Sequence, residues 1–298
     1  MNVGDYTNGL RFPIIPPIMA AAENLPESSA WDNRLLRNPH AVADKRRRVQ
    51  KMFAAIAPSY DLNNRLHSLW MDQRWRKKAV RLAELNRADE VVDVACGTGD
   101  LTWAFAHRLY ELRANFYVLS RKPGDYPIRT GQVTGVDFTY EMLPIARRKV
   151  KSRWPLPPLT KVCNWVNGDA QALPLPNASA DVVSIAFGIR NVADPAAAMR
   201  EFRRVLRPGG RLIILEFSLP TNPILRGLYN FYFRKILPTT ATLISGDKTG
   251  AYKYLPESVN TFIGREQMIG MMQIAGFSRV EQFPMTFGVC VCYRGVVA

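Results

Sequence analysis

The sequence of 298 residues predicts an α/β fold, a mostly parallel sheet with helices on both faces. Three observations carry that prediction. Residues Val91-Val92-Asp93-Val94-Ala95-Cys96-Gly97-Thr98-Gly99 form an apolar strand that breaks into a glycine loop. From Val91 to about Phe217, apolar runs of strand length alternate with stretches of helical periodicity. An acid, Asp137, closes the second apolar run, 39 residues beyond Thr98.

Taken in order, residues 1–40 contain five prolines and few periodic positions, and read as a flexible extension before a domain over 41–298. The run Phe12-Pro13-Ile14-Ile15-Pro16-Pro17-Ile18-Met19 is short and split by prolines, and no small-residue cleavage site follows a basic start, so it does not read as a secretory signal. No window approaches the roughly 20 apolar residues of a membrane-spanning helix. The N-terminal helices occupy 41–88. Lys45-Arg46-Arg47-Arg48 precedes Val49, Met52, Phe53 and Ile56 at helical spacing, and the basic run reads as a solvated helix face, with lipid headgroups as the other reading. Pro58 ends that helix. Tyr60 begins another, and Trp70 and Trp75 lead into a third that stops near Ala83.

The alternating region predicts strands at 90–95, 132–137, 162–167, 181–186 and 211–216, with helices at 99–113, 141–152 and 195–206. Pro208-Gly209-Gly210 makes the tight turn into the last of these strands. Residues 218–264 differ in character: Leu225, Leu228, Tyr229, Phe231, Tyr232, Phe233, Ile236 and Leu237 are interleaved with Arg226, Arg234 and Lys235. A helix over 265–275 and an antiparallel pair, 280–284 with 289–293, close the chain. The sheet is expected to have seven strands.

Forty Lys and Arg against 25 Asp and Glu give a net charge of +15, which favours anionic partners. The charge is spread along the chain, without a basic patch interleaved with aromatics, and this argues against a nucleic-acid-binding protein. Cys96, Cys163, Cys290 and Cys292 are too few and too scattered for a disulfide framework, and point to a reducing, cytoplasmic setting. Nothing resembles a metal-ligand spacing, so no metal is expected.

The glycine loop narrows the ligand. A dinucleotide fingerprint would read G-x-G-x-x-G, whereas Gly97-Thr98-Gly99 is followed by Asp100, beside a helix N-terminus where it would repel a pyrophosphate. The ligand is therefore expected to be neutral or cationic. S-adenosylmethionine fits, with the glycines admitting its backbone approach and the later carboxylate of Asp137 accepting the ribose hydroxyls.

These residues resemble the class I S-adenosylmethionine-dependent methyltransferases, whose fold is Rossmann-like. More narrowly, the chain resembles the family that C-methylates the ring of menaquinone and ubiquinone precursors. Tyr60-Asp61-Leu62-Asn63-Asn64, Asp72-Gln73-Arg74-Trp75-Arg76, Ala95 to Thr102, Asp169 to Pro174, Phe187-Gly188-Ile189-Arg190-Asn191-Val192, Glu216-Phe217-Ser218 and Tyr252 to Ser258 carry the resemblance. The resemblance implies that Cys96, Gly97, Thr98 and Gly99 floor the methionine part of the cofactor and that Asp137 holds the ribose. Phe138 and Met142 would enclose adenine, and Asp169 and Ala170 would meet its edge. Ala186 stands where family members commonly carry serine.

For the reaction, the resemblance implies a polyprenylated quinol acceptor. Arg190 would stabilise its phenolate, Asn191 would orient the same oxygen, and Tyr60 and Asn64 would close the pocket. Demethylmenaquinol is the favoured acceptor, with 2-polyprenyl-6-methoxy-1,4-benzoquinol and another lipid or small molecule as alternatives. A tailed substrate also implies peripheral contact with a membrane surface through the segment at 218–264. The oligomeric state is left open, a homodimer included. Two departures stand out. Thr98 and Asp137 lie nearly twice as far apart as is usual in the family, which places an insert within 107–132. Trp70 takes the place of a typical glycine at the substrate mouth.

Overall fold

The computed structural model describes residues 31–119, 131–153 and 162–298. Its strands are β1 (Val91–Val94), β2 (Val133–Asp137), β3 (Cys163–Asn167), β4 (Ala180–Ala186), β5 (Leu206–Phe217), β6 (Phe277–Met285) and β7 (Cys290–Val297). They form one sheet in the order β3-β2-β1-β4-β5-β7-β6. β1 pairs in parallel with β2 and β4, β2 with β3, and β4 with β5, while β7 runs antiparallel to both β5 and β6. The chain leaves β1 toward β3, then returns to its other side to lay down β4 and β5. The switch lies between β1 and β4, and the loops leaving their C-terminal ends must diverge there and open a crevice.

The helices are α1 (Lys45–Ile56), α2 (Tyr60–His67), α3 (Met71–Leu82), α4 (Asp100–Leu119), α5 (Met142–Arg153), α6 (Pro195–Val205), α7 (Pro223–Phe231), α8 (Leu237–Ser245), α9 (Ala251–Asn260) and α10 (Arg265–Ile274). Local chemistry sets several boundaries. Asp194 caps α6 by accepting the Ala197 N–H at 3.0 Å, and Pro195 follows it where no amide donor is needed. Asn222 caps α7 by accepting from the Ile224 and Leu225 amides. Gly246, at φ 65°, ends α8.

Both sheet faces are covered, as a parallel sheet requires. Val92 and Val94 face a core shared with Met199 and Phe202 of α6 and Met268 and Met272 of α10. Val91 faces the opposite core with Trp75 of α3 and Phe105 and Leu109 of α4. Asp93 points the same way as Val91, because side chains alternate along a strand. A third core lies off the sheet, where Trp31, Leu36 and Met52 pack with Phe233, Leu237, Tyr252 and Tyr254. α1, the start of α2 and the segment over 218–264 thus share one cap core, while α3 packs on the sheet.

Most predicted strands and helices appear close to their expected limits, with these differences. β5, expected over 211–216, already begins at Leu206, so Pro208-Gly209-Gly210 lies within the strand, where the register against β4 shifts between the Ala180 and Val182 pairs, and is not a turn ahead of it. β6 and β7 run beyond the expected 280–284 and 289–293. Of the extension read over 1–40, residues 1–30 lie outside the described residues. Within 31–40, Trp31, Leu36 and Pro39 are buried: Trp31 is 2% exposed and meets the Tyr254 ring at 4.4 Å. The helix expected to stop at 113 continues to Leu119, so part of the insert is helical, and its Lys122–Pro127 portion lies outside the described residues. The basic run is not one solvated face. Lys45 is buried, and Arg46 reaches Asp169 at 3.0 Å.

Candidate active site

The loop after β1 turns sharply. Ala95 has φ 50°, and Gly97 and Gly99 have φ 55° and 80°. Across the crevice, Phe187 has φ 56° just after β4, and Gly188 follows it. A Cβ on Gly188 would stand 2.6 Å from the Ala95 Cβ, so the two loops touch only because residue 188 has none. The left-handed Phe187 is the kind of strained residue that surrounding structure must hold in place, and such residues gather at functional sites.

A cavity of about 770 Å³ opens over these loops. Val94, Ala95 and Gly97 bound it after β1, and Asp137, Phe138, Thr139 and Met142 after β2. Asp169 and Ala170 follow β3; Ala186, Phe187 and Asn191 come from the end of β4. Arg46, Val49 and Phe53 of α1 and Tyr60 of α2 close it. Asp137 accepts the Gly97 N–H at 2.7 Å and the Thr139 N–H at 2.8 Å. Burial pushes its carboxyl up to about 6, against the pull of those two donors.

A second cavity, of about 620 Å³, lies under the cap. Phe53, Tyr60 and Phe187 belong to both cavities, so the two meet at an aromatic wall. Asn64, Ser68, Asp72, Arg76, Arg190, Phe217 and Tyr254 line the rest, among apolar neighbours. Arg190 is buried. Its Nη1 donates to Glu216 Oε1 at 2.6 Å and to the Phe187 carbonyl at 2.7 Å. Arg76 pairs with Asp72 at 2.5 Å and lies 5.4 Å from the Phe187 ring centroid. Burial raises the Tyr60 phenol above its ordinary value, with the charges of Arg76 and Arg190 pulling the other way. Tyr60 therefore stays protonated and able to donate.

Buried polar groups brace these walls. Asp93 accepts from Thr102 Oγ1 at 2.6 Å and Ser184 Oγ at 2.8 Å, tying β1 to α4 and β4, and burial pushes its carboxyl up to about 6. Lys45 Nζ donates to the carbonyls of Arg190 at 2.8 Å and Val192 at 2.7 Å, fixing the loop after β4 from behind. Burial lowers this ammonium to about 8. Thr98 Oγ1 donates to Asp61 Oδ1 at 2.6 Å, and Lys149 reaches Asp61, Thr98 and Asp100. Arg65 joins Asp100 to Asp72. α2 is thereby latched to the glycine loop by a chain of ion pairs.

The residues singled out in the sequence distribute as follows. Gly97, Asp137, Phe138, Met142, Asp169, Ala170, Ala186 and Asn191 line the first cavity, Asn64 and Arg190 the second, and Tyr60 both. Cys96, Thr98 and Gly99 line neither; Cys96 is buried beneath the loop, and Thr98 is taken up by the latch. Asn191 is held by the Phe187 carbonyl and the Tyr254 hydroxyl. Sequence reasoning missed Arg46, Lys45, Phe53 and Asp93. Asp93 had a signal, an acid inside an apolar strand; Lys45 and Arg46 had none that separated them from Arg47 and Arg48. Among the described residues no group of three or more His, Cys, Asp or Glu is placed to hold a metal.

The first cavity offers a ligand open backbone, a buried carboxylate and apolar walls. A Cβ on Gly97 would meet only Tyr60, at 4.0 Å, so the missing side chain leaves room for a ligand against the backbone. One buried carboxylate stands at the end of β2, and apolar side chains stand beside it. The fold is that of a class I S-adenosylmethionine-dependent methyltransferase. A solved S-adenosylmethionine-dependent methyltransferase from Thermotoga maritima matches with TM-score 0.52 and 19% identity, over 84% of this chain and 100% of that one. One from Aquifex aeolicus matches with TM-score 0.50 and 16% identity, over 75% and 89%. At these identities the likeness is one of fold.

The chain belongs to the ubiE/COQ5 methyltransferase family, which matches residues 41–297. A ubiquinone/menaquinone biosynthesis C-methyltransferase UbiE of Geobacter sp. (strain M21) is 40% identical over 256 residues, 86% of this chain and 99% of the relative. A demethylmenaquinone methyltransferase of Thermus thermophilus is 43% identical over 244 residues, 82% of this chain and 99% of the relative. Another, of Deinococcus radiodurans, is 38% identical over 252 residues, 85% and 93%.

Proposed function

We propose that this enzyme transfers the methyl group of S-adenosylmethionine to a ring carbon of a polyprenylated quinol, converting demethylmenaquinol to menaquinol. The observation that carries the reading is the wall of Phe53, Tyr60 and Phe187 shared by the two cavities. Donor and acceptor enter separately and meet there. The relatives named as demethylmenaquinone methyltransferases support the choice of acceptor.

S-adenosylmethionine supplies an already activated methyl group, so the protein's main contribution is alignment. Gly97 and Asp137 would hold the donor's backbone-facing and ribose portions, and Phe138 and Met142 its base. Phe187 and Phe217, with ring centroids 4.6 Å apart, offer a flat acceptor an aromatic face. A quinol becomes nucleophilic at carbon when a hydroxyl loses its proton. Arg190 and Arg76 set positive charge beside that oxygen, and the neutral Tyr60 can donate to it. Each cation is also tied to an acid, Glu216 or Asp72, which fixes its position.

The acceptor's tail requires the enzyme to collect it at a bilayer, so we also propose peripheral membrane association through the cap. Exposed Ile224, Leu228 and Phe231 on α7 support this. Among the described residues no helix is long and apolar enough to cross a membrane. Incubating the purified protein with S-adenosylmethionine and each demethylated quinol tests the function. Menaquinol is the expected product; methylation of the benzoquinol alone would overturn the choice of acceptor, and methylation of neither would overturn the reading.

A further inference from the structure

The turn between α2 and α3 places two large apolar side chains in a backbone conformation that side chains rarely adopt. Leu69 has φ 49° and Trp70 φ 60°, and both are open to solvent, at 79% and 57% exposure. Left-handed backbone is unfavourable for residues with a Cβ, and exposed apolar surface adds a second cost. Neither side chain repays these costs by packing inside the protein. Their neighbours in sequence, Ser68 and Asp72, line the second cavity. The turn therefore stands at that cavity's edge with its apolar side chains directed away from it, and Trp70, expected from the resemblance to alter the substrate mouth, lines neither cavity.

The surroundings suit one kind of partner. Leu62 and Leu66 of α2 are exposed, and α2 packs on α8, where His67 meets the Thr240 hydroxyl at 2.8 Å and Tyr232 donates to the His67 carbonyl at 3.1 Å. Exposed Phe231 and Ile236 flank Tyr232, and Leu243 and Ile244 are exposed further along α8. Charge on these segments is one-sided. Arg74 and Lys77 are exposed on α3, Arg74 one helical turn beyond Trp70, while the acid nearby, Asp72, is buried. Between 218 and 250 stand Arg226, Arg234, Lys235 and Lys248 against a single acid, Asp247, though Arg234 also pairs with Glu257 at 2.8 Å. Exposed apolar side chains rimmed by cations match an anionic bilayer surface, and tryptophan favours the headgroup level.

We propose that the Leu69–Trp70 turn is a membrane-inserting knob, which seats the edge of the acceptor cavity on an anionic lipid surface. The inference deepens the quinol reading and rests on it, because a tailed acceptor must pass from lipid into that cavity. The test compares wild type with Trp70→Gly on vesicles of phosphatidylcholine with and without phosphatidylglycerol. Flotation reads binding, and turnover is measured with demethylmenaquinol in vesicles and with a short-tailed, water-soluble demethylated quinol. Glycine adopts this φ freely, so the variant is expected to melt no lower than wild type.

Trp70→Gly is expected to weaken binding to the phosphatidylglycerol vesicles by about tenfold, in line with loss of one large interfacial side chain. Turnover on vesicle-borne quinol should fall with it, and turnover on the short-tailed quinol should not. Binding within twofold of wild type would overturn the proposal, as would equal loss on both quinols. A wild type that is dimeric without lipid and becomes monomeric on Trp70→Gly would assign the face to a second copy and overturn it too. If wild type methylates neither quinol, the functional reading fails, whatever the vesicles show.

Discussion

Replacing Asp137 by asparagine should separate donor binding from folding. The carboxylate is buried at the end of β2 and faces the first cavity, where two ribose hydroxyls would donate to it. A hydrogen bond to a charged group contributes about 1.5–3 kcal/mol, so the pair contributes about 3–6 kcal/mol. Asparagine keeps one acceptor oxygen and loses the charge, leaving a penalty of about 2–4 kcal/mol, or about 30- to 1000-fold in Kd. Calorimetry with S-adenosylmethionine reads this directly. The pH dependence sharpens the test. With the Asp137 carboxyl at about 6, donor affinity should rise as pH increases through 6 and fall about tenfold per unit below it. In the ligand-free protein the sign is opposite. A carboxyl raised by burial contributes stability that is full below its unfolded value and is lost as pH rises through about 6. Unchanged Kd in Asp137→Asn, or affinity flat between pH 5 and 7, would refute the assignment of Asp137 to the ribose.

Three further outcomes follow from the same geometry. Tyr60→Phe removes a donor from the seam between the cavities and should lower kcat about tenfold or more while the Kd for S-adenosylmethionine stays within about twofold; steady-state kinetics and calorimetry together check it. Arg190→Ala should likewise reduce turnover far more than donor affinity, since Arg190 lines only the acceptor side of the site. Glu216→Ala leaves the Arg190 guanidinium buried without its acid and should destabilise the fold by about 3–5 kcal/mol, read as a shift in the urea midpoint.

Much of the fold could be read from the chain because its signals are local. The glycine loop and the apolar runs each dictate backbone shape within a few residues, and they reappear as the turn after β1 and the strands β1 to β5. The closing pair was also legible: Cys290 and Cys292, two apart on a strand, are both buried on β7. The cofactor side shows the same locality, since Gly97, Asp137 and Ala186 stand at strand ends and strand order brings them together. What could not be read depended on distant packing. Lys45 is indistinguishable in sequence from Arg46, Arg47 and Arg48, yet it alone of these enters the protein to hold the carbonyls of Arg190 and Val192. Trp31 falls in a proline-rich stretch without periodicity and still fills the cap core, because Tyr254 and Tyr252 present a surface for it 200 residues and more away in the chain. The ion pair of Arg190 with Glu216 joins two motif residues whose contact neither motif encodes.

A single-turnover reaction with S-adenosylmethionine deuterated in its methyl group tests the central claim that the two cavities deliver donor and acceptor to one wall. The account predicts the intact deuterated methyl group on a ring carbon of demethylmenaquinol, located by mass spectrometry and NMR. Label on a hydroxyl oxygen, or no transfer from protein that binds both compounds, would contradict it.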